Sequence, residues 1–164
     1  MKNSIVINKR INTFNKIIEV SGDKSISIRW VLFSSIAKGI SKAKNLLNSE
    51  DVNAALRAIK TLGIKYEHKK NVCKIYGKGV NGYKYRKNLI INAENSGTLG
   101  RIILGLVTNT SHPIKIIGDK SLSKRDFKRV TEPLTKFGIK FKLSKGKNLP
   151  LIIFGSQKLK SIKY

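Results

Sequence analysis

The feature that most constrains this chain is an internal repeat. Gly63-Ile64-Lys65-Tyr66 returns about 75 residues later as Gly138-Ile139-Lys140-Phe141, and Arg29 returns about 72 residues later as Arg101. A small loop insertion accounts for the difference, so one supersecondary unit is used twice, each copy needing its neighbour to cover its apolar faces. Hydrophobic periodicity gives the content of the unit. In the first copy, 16–20 reads as a short strand and 25–38 as a helix ended by Gly39. Asn48 or Ser49 then caps a second helix. Its Glu50 and Asp51 suit the positive N-terminal end, and Val52, Ala55, Leu56, Ile59 and Leu62 form one stripe before Gly63. Strands at 64–67 and 72–76, parted by a polar turn at 68–71, close the copy, and a basic, Gly-rich connector follows at 77–87. The second copy repeats the order. There is a strand at 89–92, a stripe of Leu99, Ile102, Ile103, Leu106 and Val107, and a strand at 114–117. A helical face of Phe127, Val130, Leu134 and Phe137 comes next, with strands at 139–143 and 151–154. Pro133 is expected to kink or interrupt that last helix. The reading is an α/β (α+β) chain of two βαβαββ units, at 20–80 and 88–164.

Composition narrows the function. With 40% apolar and 26% charged residues among 164, the chain has the makeup of a folded domain. Its 34 Lys+Arg against 9 Asp+Glu leave a net charge of +25, which attracts polyanions. The cations are mostly Lys, spread from Lys2 to Lys163, and no finger, RNP-like strand or basic zipper accompanies them. A solvated Lys-rich surface is therefore favoured over a nucleic-acid-binding module, which stays as an alternative. No run approaches the roughly 20 apolar residues of a membrane span, and 1–14 offers no continuous apolar stretch, so a soluble, cytoplasmic protein is expected. Cys73 alone excludes an internal disulfide, and with His68 and His112 it makes no metal-ligand cluster. Neither metal nor cofactor is expected.

Three strand-to-helix junctions concentrate glycine, hydroxyl and cation. The first is Ser21-Gly22-Asp23-Lys24-Ser25-Ile26-Ser27-Ile28-Arg29, in which Ser25 and Arg29 fall on one helix face. The second is Asn95-Ser96-Gly97-Thr98-Leu99-Gly100-Arg101, and the third runs from Gly118-Asp119 to Arg125, expected near the first turn of the fourth helix. Small residues let backbone amides approach an anion, and a helix N-terminus adds partial positive charge. One such junction is an ordinary capped helix more often than a site, but three in one chain point to phosphate or carboxylate recognition.

These segments, in this order, resemble the signatures of the 5-enolpyruvylshikimate-3-phosphate synthase family: Gly22-Asp23-Lys24-Ser25-Ile26-Ser27-x-Arg29, Asn95-Ser96-Gly97-Thr98-x-x-Arg101 and Gly118-Asp119-x-Ser121-Leu122-x-x-Arg125. Ser49-Glu50-Asp51-Val52 and Arg129-Val130-x-x-Pro133-Leu134 match as well, so the resemblance runs from about Val20 to the end. It implies the inside-out barrel of repeated βαβαββ units, with about two present. The implied reaction is transfer of an enolpyruvyl group from phosphoenolpyruvate to the 5-hydroxyl of shikimate 3-phosphate, releasing phosphate, in aromatic amino-acid biosynthesis. By similarity Lys24 touches both substrates, Ser25 and Arg29 hold shikimate 3-phosphate, and Gly97 and Arg125 bind phosphoenolpyruvate. Asn95, Thr98 and Arg101 are supporting candidates. Such electrostatic catalysis uses no cofactor.

The chain departs from the family pattern at Ser21 and Asp126, where Pro is usual, and Asp126 reads either as a partner of Arg125 or as a helix N-terminal acid. The family has two domains of three units each, so the resemblance implies an N-terminal fragment. Residues 1–19 would pack into the second domain. The general acid and base would also lie there, and a complementary C-terminal chain would be the partner. Two units of three should leave apolar helix faces exposed and the chain association-prone. The sister transferase acting on a UDP-sugar shares the repeat, but Cys73 does not sit in a loop that could carry its nucleophile.

Overall fold

The computed structural model describes residues 4–6, 8, 9, 13 and 15–163. The first unit comprises α1 (Lys24–Ile36), β1 (Lys38–Lys44), α2 (Glu50–Thr61), β2 (Lys65–Lys69) and β3 (Val72–Lys78). The second comprises β4 (Leu89–Asn92), α3 (Gly97–Leu106), β5 (Ile114–Ile117), α4 (Lys128–Lys136), β6 (Lys140–Ser144) and β7 (Asn148–Phe154). Each helix start has a local cause. Asp23, Ser49 and Ser96 lie in extended backbone and accept the N–H three residues on, from Ile26, Val52 and Leu99. In α2 the apolar stripe becomes a buried face of Val52, Ala55, Leu56 and Ile59, and Glu50 and Asp51 occupy the first turn.

Sheet topology makes the repeat explicit. The second unit orders its strands β4-β5-β7-β6, with β4 parallel to β5 across the α3 crossover and the other pairs antiparallel. The first orders them β1-β3-β2, all antiparallel. Thus β1, β3 and β2 stand where β5, β7 and β6 stand, and the position of β4 has no counterpart among the described residues. The strand expected at 16–20 does not form, because those residues are exposed and unpaired. Conversely, β1 is a strand that periodicity did not reveal. Its Lys-Gly-Ile-Ser-Lys-Ala-Lys sequence lacks an apolar face, and pairing with β3 from Lys38↔Lys78 to Lys44↔Val72 creates it.

Helix α1 packs on α2, α3 and β3, so one core spans both units: Ile28, Val31 and Leu32 join Ile59 and Ile75 on one side and Leu99, Ile103 and Ile114 on the other. Helix α4 runs through Pro133 rather than breaking. Pro133 removes a single backbone donor, and the amphipathic face carrying the half-buried Val130 and Leu134 against the core holds the remainder. The third junction also differs from expectation. Residues Leu122–Lys124 form a 3-10 turn, Arg125 follows in extended backbone, and α4 begins at Lys128, so Arg125 precedes the helix.

Candidate anion site at the helix N-termini

At the first junction the chain is drawn close to the turn after β1. A Cβ on Gly22 would lie 2.1 Å from the carbonyl oxygen of Asn45, so the approach requires glycine. Asp23 accepts the Ile26 N–H at 2.7 Å, and Ser27 Oγ donates to the Asp23 carbonyl while accepting the Leu47 N–H. That leaves Ser25 half-buried and Lys24 and Arg29 exposed. Lys24 Nζ sits 3.4 Å from Asp51 Oδ2, which orients the ammonium from the start of the neighbouring helix. Asp51 was legible as a helix-start residue; its contact with Lys24 depends on the packing of α1 against α2.

The second and third junctions are clasped together. Asp119 Oδ1 accepts the Leu122 N–H and its Oδ2 accepts Asn95 Nδ2, both at 2.6 Å, while its own N–H donates to the Glu94 carbonyl. These bonds, that from Leu122 foremost, hold the Asp119 carboxyl below the usual carboxylate range. Asn95 thus acts through Asp119, and Thr98 sits half-buried in the first turn of α3. Glu94 occupies left-handed backbone (φ 49°), with its N–H accepted by Asn92 Oδ1 at 2.9 Å.

The clasp brings Gly97 and Arg125 together. A Cβ on Gly97 would lie 2.7 Å from Arg101 Nη1 and 3.0 Å from Arg125 Nη1, so two guanidinium groups flank the bare α-carbon at the N-terminus of α3. Arg101 donates to the carbonyls of Gly97 (3.4 Å) and Asp126 (3.3 Å), and its guanidinium lies 5.1 Å from the centre of the Phe127 ring. Its Nε is buried without a partner. Burial, followed by the like charges of Arg125 and Arg129, pushes the Arg101 guanidinium below its ordinary value, and Asp126 offsets part of this. The Asp126 carboxylate instead accepts the Lys128 N–H at 2.6 Å, so it serves the start of α4. Asn148, which sequence reading passed over, donates from its amide to the Arg125 carbonyl at 3.1 Å. It emerges from β7 through folding alone.

The two halves lie at the N-termini of the packed helices α1 and α3. Between the units, Arg57 of α2 bridges Glu50 (3.9 Å) and Glu94 (3.7 Å). No hydrogen bond or ion pair joins Lys24, Ser25 or Arg29 directly to Gly97 or Arg125 among the described residues. The combination of helix N-termini, a flexible ammonium and guanidinium forks suits a ligand bearing several negative charges. Cys73 is buried in β3 with its thiol pushed up to about 11, which removes it as a nucleophile at neutral pH. No group of acidic, His and Cys side chains among the described residues could hold a metal ion, and no helix is long and apolar enough to cross a membrane.

The family model for EPSP synthase (3-phosphoshikimate 1-carboxyvinyltransferase) matches residues 8–164. The 3-phosphoshikimate 1-carboxyvinyltransferase of Streptococcus suis is 39% identical over 148 residues, covering 90% of this chain and 34% of that protein. That of Ruthia magnifica is 39% identical over 156 residues, covering 95% and 35%. The solved EPSP synthase of Acinetobacter baumannii superposes with a TM-score of 0.83 at 34% identity, covering 90% of this chain and 34% of that one. The chain thus spans about a third of the length of the relatives it matches. A family match over residues 8–164, relatives 39% identical over most of the chain and a solved structure superposing at a TM-score of 0.83 together make it a member of the EPSP synthase (3-phosphoshikimate 1-carboxyvinyltransferase) family.

Proposed function

We propose that this chain supplies the N-terminal share of a site that transfers the enolpyruvyl group of phosphoenolpyruvate to the 5-hydroxyl of shikimate 3-phosphate, releasing phosphate. The observation that carries the reading is the bare Gly97 α-carbon flanked by the Arg101 and Arg125 guanidiniums at a helix N-terminus. In this reading Arg125 and Gly97 receive phosphoenolpyruvate, Ser25 and Arg29 receive shikimate 3-phosphate, and Lys24, oriented by Asp51, reaches both. Each substrate carries a phosphate and a carboxylate. Fixed cations offset their mutual repulsion and stabilise the charge of a tetrahedral addition intermediate. Proton transfer is assigned to a complementary C-terminal part, in keeping with the role of Asp51 as partner to Lys24 and of Asp119 as a loop clasp. A cytoplasmic location fits these substrates.

Isothermal titration of shikimate 3-phosphate into the 164-residue chain at constant salt, with Arg29→Ala as control, tests the reading. Saturable binding is expected, weakened roughly 10–100-fold by loss of the charged contact. Equal binding by the variant, or none by the unmodified chain, overturns the assignment.

A further inference from the structure

The sheet of the first unit turns one face to the core and the other to solvent, and the solvent face gathers lysines from all three strands. Lys38, Lys42 and Lys44 alternate along β1, Lys74 and Lys78 along β3, and Lys65 and Lys69 along β2. The register sets Lys42 opposite Lys74 and Lys38 opposite Lys78, while Lys44 and Lys69 both flank Val72, so all of them stand on one side. The other side carries the buried Cys73 and Ile75, against which α1 packs. Glu67 is the one carboxylate in these strands, and it is already engaged. It accepts the Tyr76 hydroxyl at 2.8 Å and lies 3.4 Å from Lys65 Nζ. Lys78 Nζ donates to the Gly63 carbonyl at 2.8 Å. Among the described residues no ion pair engages Lys38, Lys42, Lys44, Lys69 or Lys74.

Like charges directly opposite one another weaken a sheet, so this arrangement does not serve the stability of β1-β3-β2. Nor does it suit burial under further protein, because unpaired ammonium groups would lose their hydration. The second unit does not repeat it. Ile152 and Phe154 stand where Lys74 and Tyr76 stand, and Lys115, Lys140 and Lys142 surround that apolar centre. Strand geometry spaces the lysines of the first sheet about 7 Å apart along a strand and about 5 Å across neighbouring strands. This is a flat grid of compact point charges, suited to phosphates and unable to fork onto base edges. A membrane surface would call for apolar side chains to insert. Among the described residues Ile40 is the one large apolar side chain exposed on this face, and Lys65 Nζ covers the Tyr76 ring at 4.9 Å from its centre. We propose that the outer face of β1-β3-β2 binds the phosphate backbone of duplex nucleic acid without sequence preference, a function separate from the candidate site at the helix N-termini. The net charge of +25 supplies attraction at a distance, and this face supplies the contact.

Fluorescence anisotropy of a labelled, mixed-sequence DNA duplex titrated with the 164-residue chain tests the proposal. The unpaired lysines should give log K a slope of about −4 to −5 against log salt concentration. Replacing one lysine on each strand, Lys42→Gln, Lys69→Gln and Lys74→Gln together, should weaken binding at least about 10-fold at roughly 0.1 M salt and flatten the slope by about 3. The control removes the same charge from the other sheet, Lys115→Gln, Lys140→Gln and Lys142→Gln, and should stay within about 3-fold of the unmodified chain. Glu67→Gln keeps an acceptor for the Tyr76 hydroxyl and releases Lys65, so it should tighten binding, a gain that misfolding cannot imitate. Equal losses in the two triple variants would mean that net charge alone carries the binding, and would overturn the proposal. So would an unmodified chain that leaves the duplex free, a Glu67→Gln variant that binds no tighter, or capture by phosphatidylserine vesicles while the duplex in the same mixture stays unbound.

Discussion

Phe127 joins the core to the candidate anion site, and truncating it gives a quantitative test. The side chain is fully buried, its N–H donates to the Lys147 carbonyl at 2.9 Å, and its ring underlies the Arg101 guanidinium. It also borders Gly100, where an added Cβ would lie 3.5 Å from two ring carbons. Phe127→Ala removes the ring from between α3 and α4 and should cost about 3–5 kcal/mol in transfer and cavity energy. Loss of the cation–π contact adds about 0.5–1 kcal/mol. At roughly 3 °C per kcal/mol for a chain of this size, Tm should fall by about 10–18 °C. Differential scanning calorimetry at fixed pH and salt reads the shift, with Phe127→Leu, which keeps a large apolar side chain but no ring, retaining more than half of the lost stability. A fall below about 3 °C for Phe127→Ala would refute the claim that this ring is a core element beneath the Arg101 guanidinium.

Two further outcomes follow from titrating groups. The Asp119 carboxyl is held below its unfolded value, so its stabilisation is complete above about pH 4 and disappears as pH falls through the native value. Thermal melts between about pH 5 and pH 2 should therefore show an acid loss that is smaller in Asp119→Asn, and identical slopes would contradict the clasp between the junctions. The Cys73 thiol, pushed up to about 11 by burial, should resist thiol reagents at neutral pH in the native chain and react at once in denaturant. Rapid native labelling would show that β3 opens.

What could be read from residues alone was what local chemistry decides. The strands 89–92 and 114–117 are short apolar runs between polar breaks, and Ser49 caps α2 as its Ser-Glu-Asp-Val context suggests. Strand β1 was hidden because its identity comes from a partner strand across the whole of α2, paired from Lys38↔Lys78 to Lys44↔Val72. The extended backbone at Arg125 was also hidden. Its cause is the Asp119 side chain closing a 3-10 turn, together with hydrogen bonds from Arg101 and Asn148 to neighbouring carbonyls. Motif positions identified the candidate Lys24, Ser25, Arg29, Gly97 and Arg125. They could not show that Lys24 leans on Asp51 or that Arg101 is seated on Phe127, since both contacts join separate helices or loops.

The way each unit ends also bears on the time course of its assembly. The hairpins β2-β3 and β6-β7 close over two and three residues, the least costly loops in their units, whereas β4 reaches β5 only across the whole of α3. Chain-closure entropy therefore favours the C-terminal hairpin of each unit as the early structure and the pairings that cross a helix, β4 on β5 and β5 on β7, as the late ones. The junctions bearing Gly97 and Asp119 sit at the ends of β4 and β5, so the candidate site matures with these long-range pairings. A nascent second unit would have its C-terminal hairpin before the junctions of the candidate site were brought together.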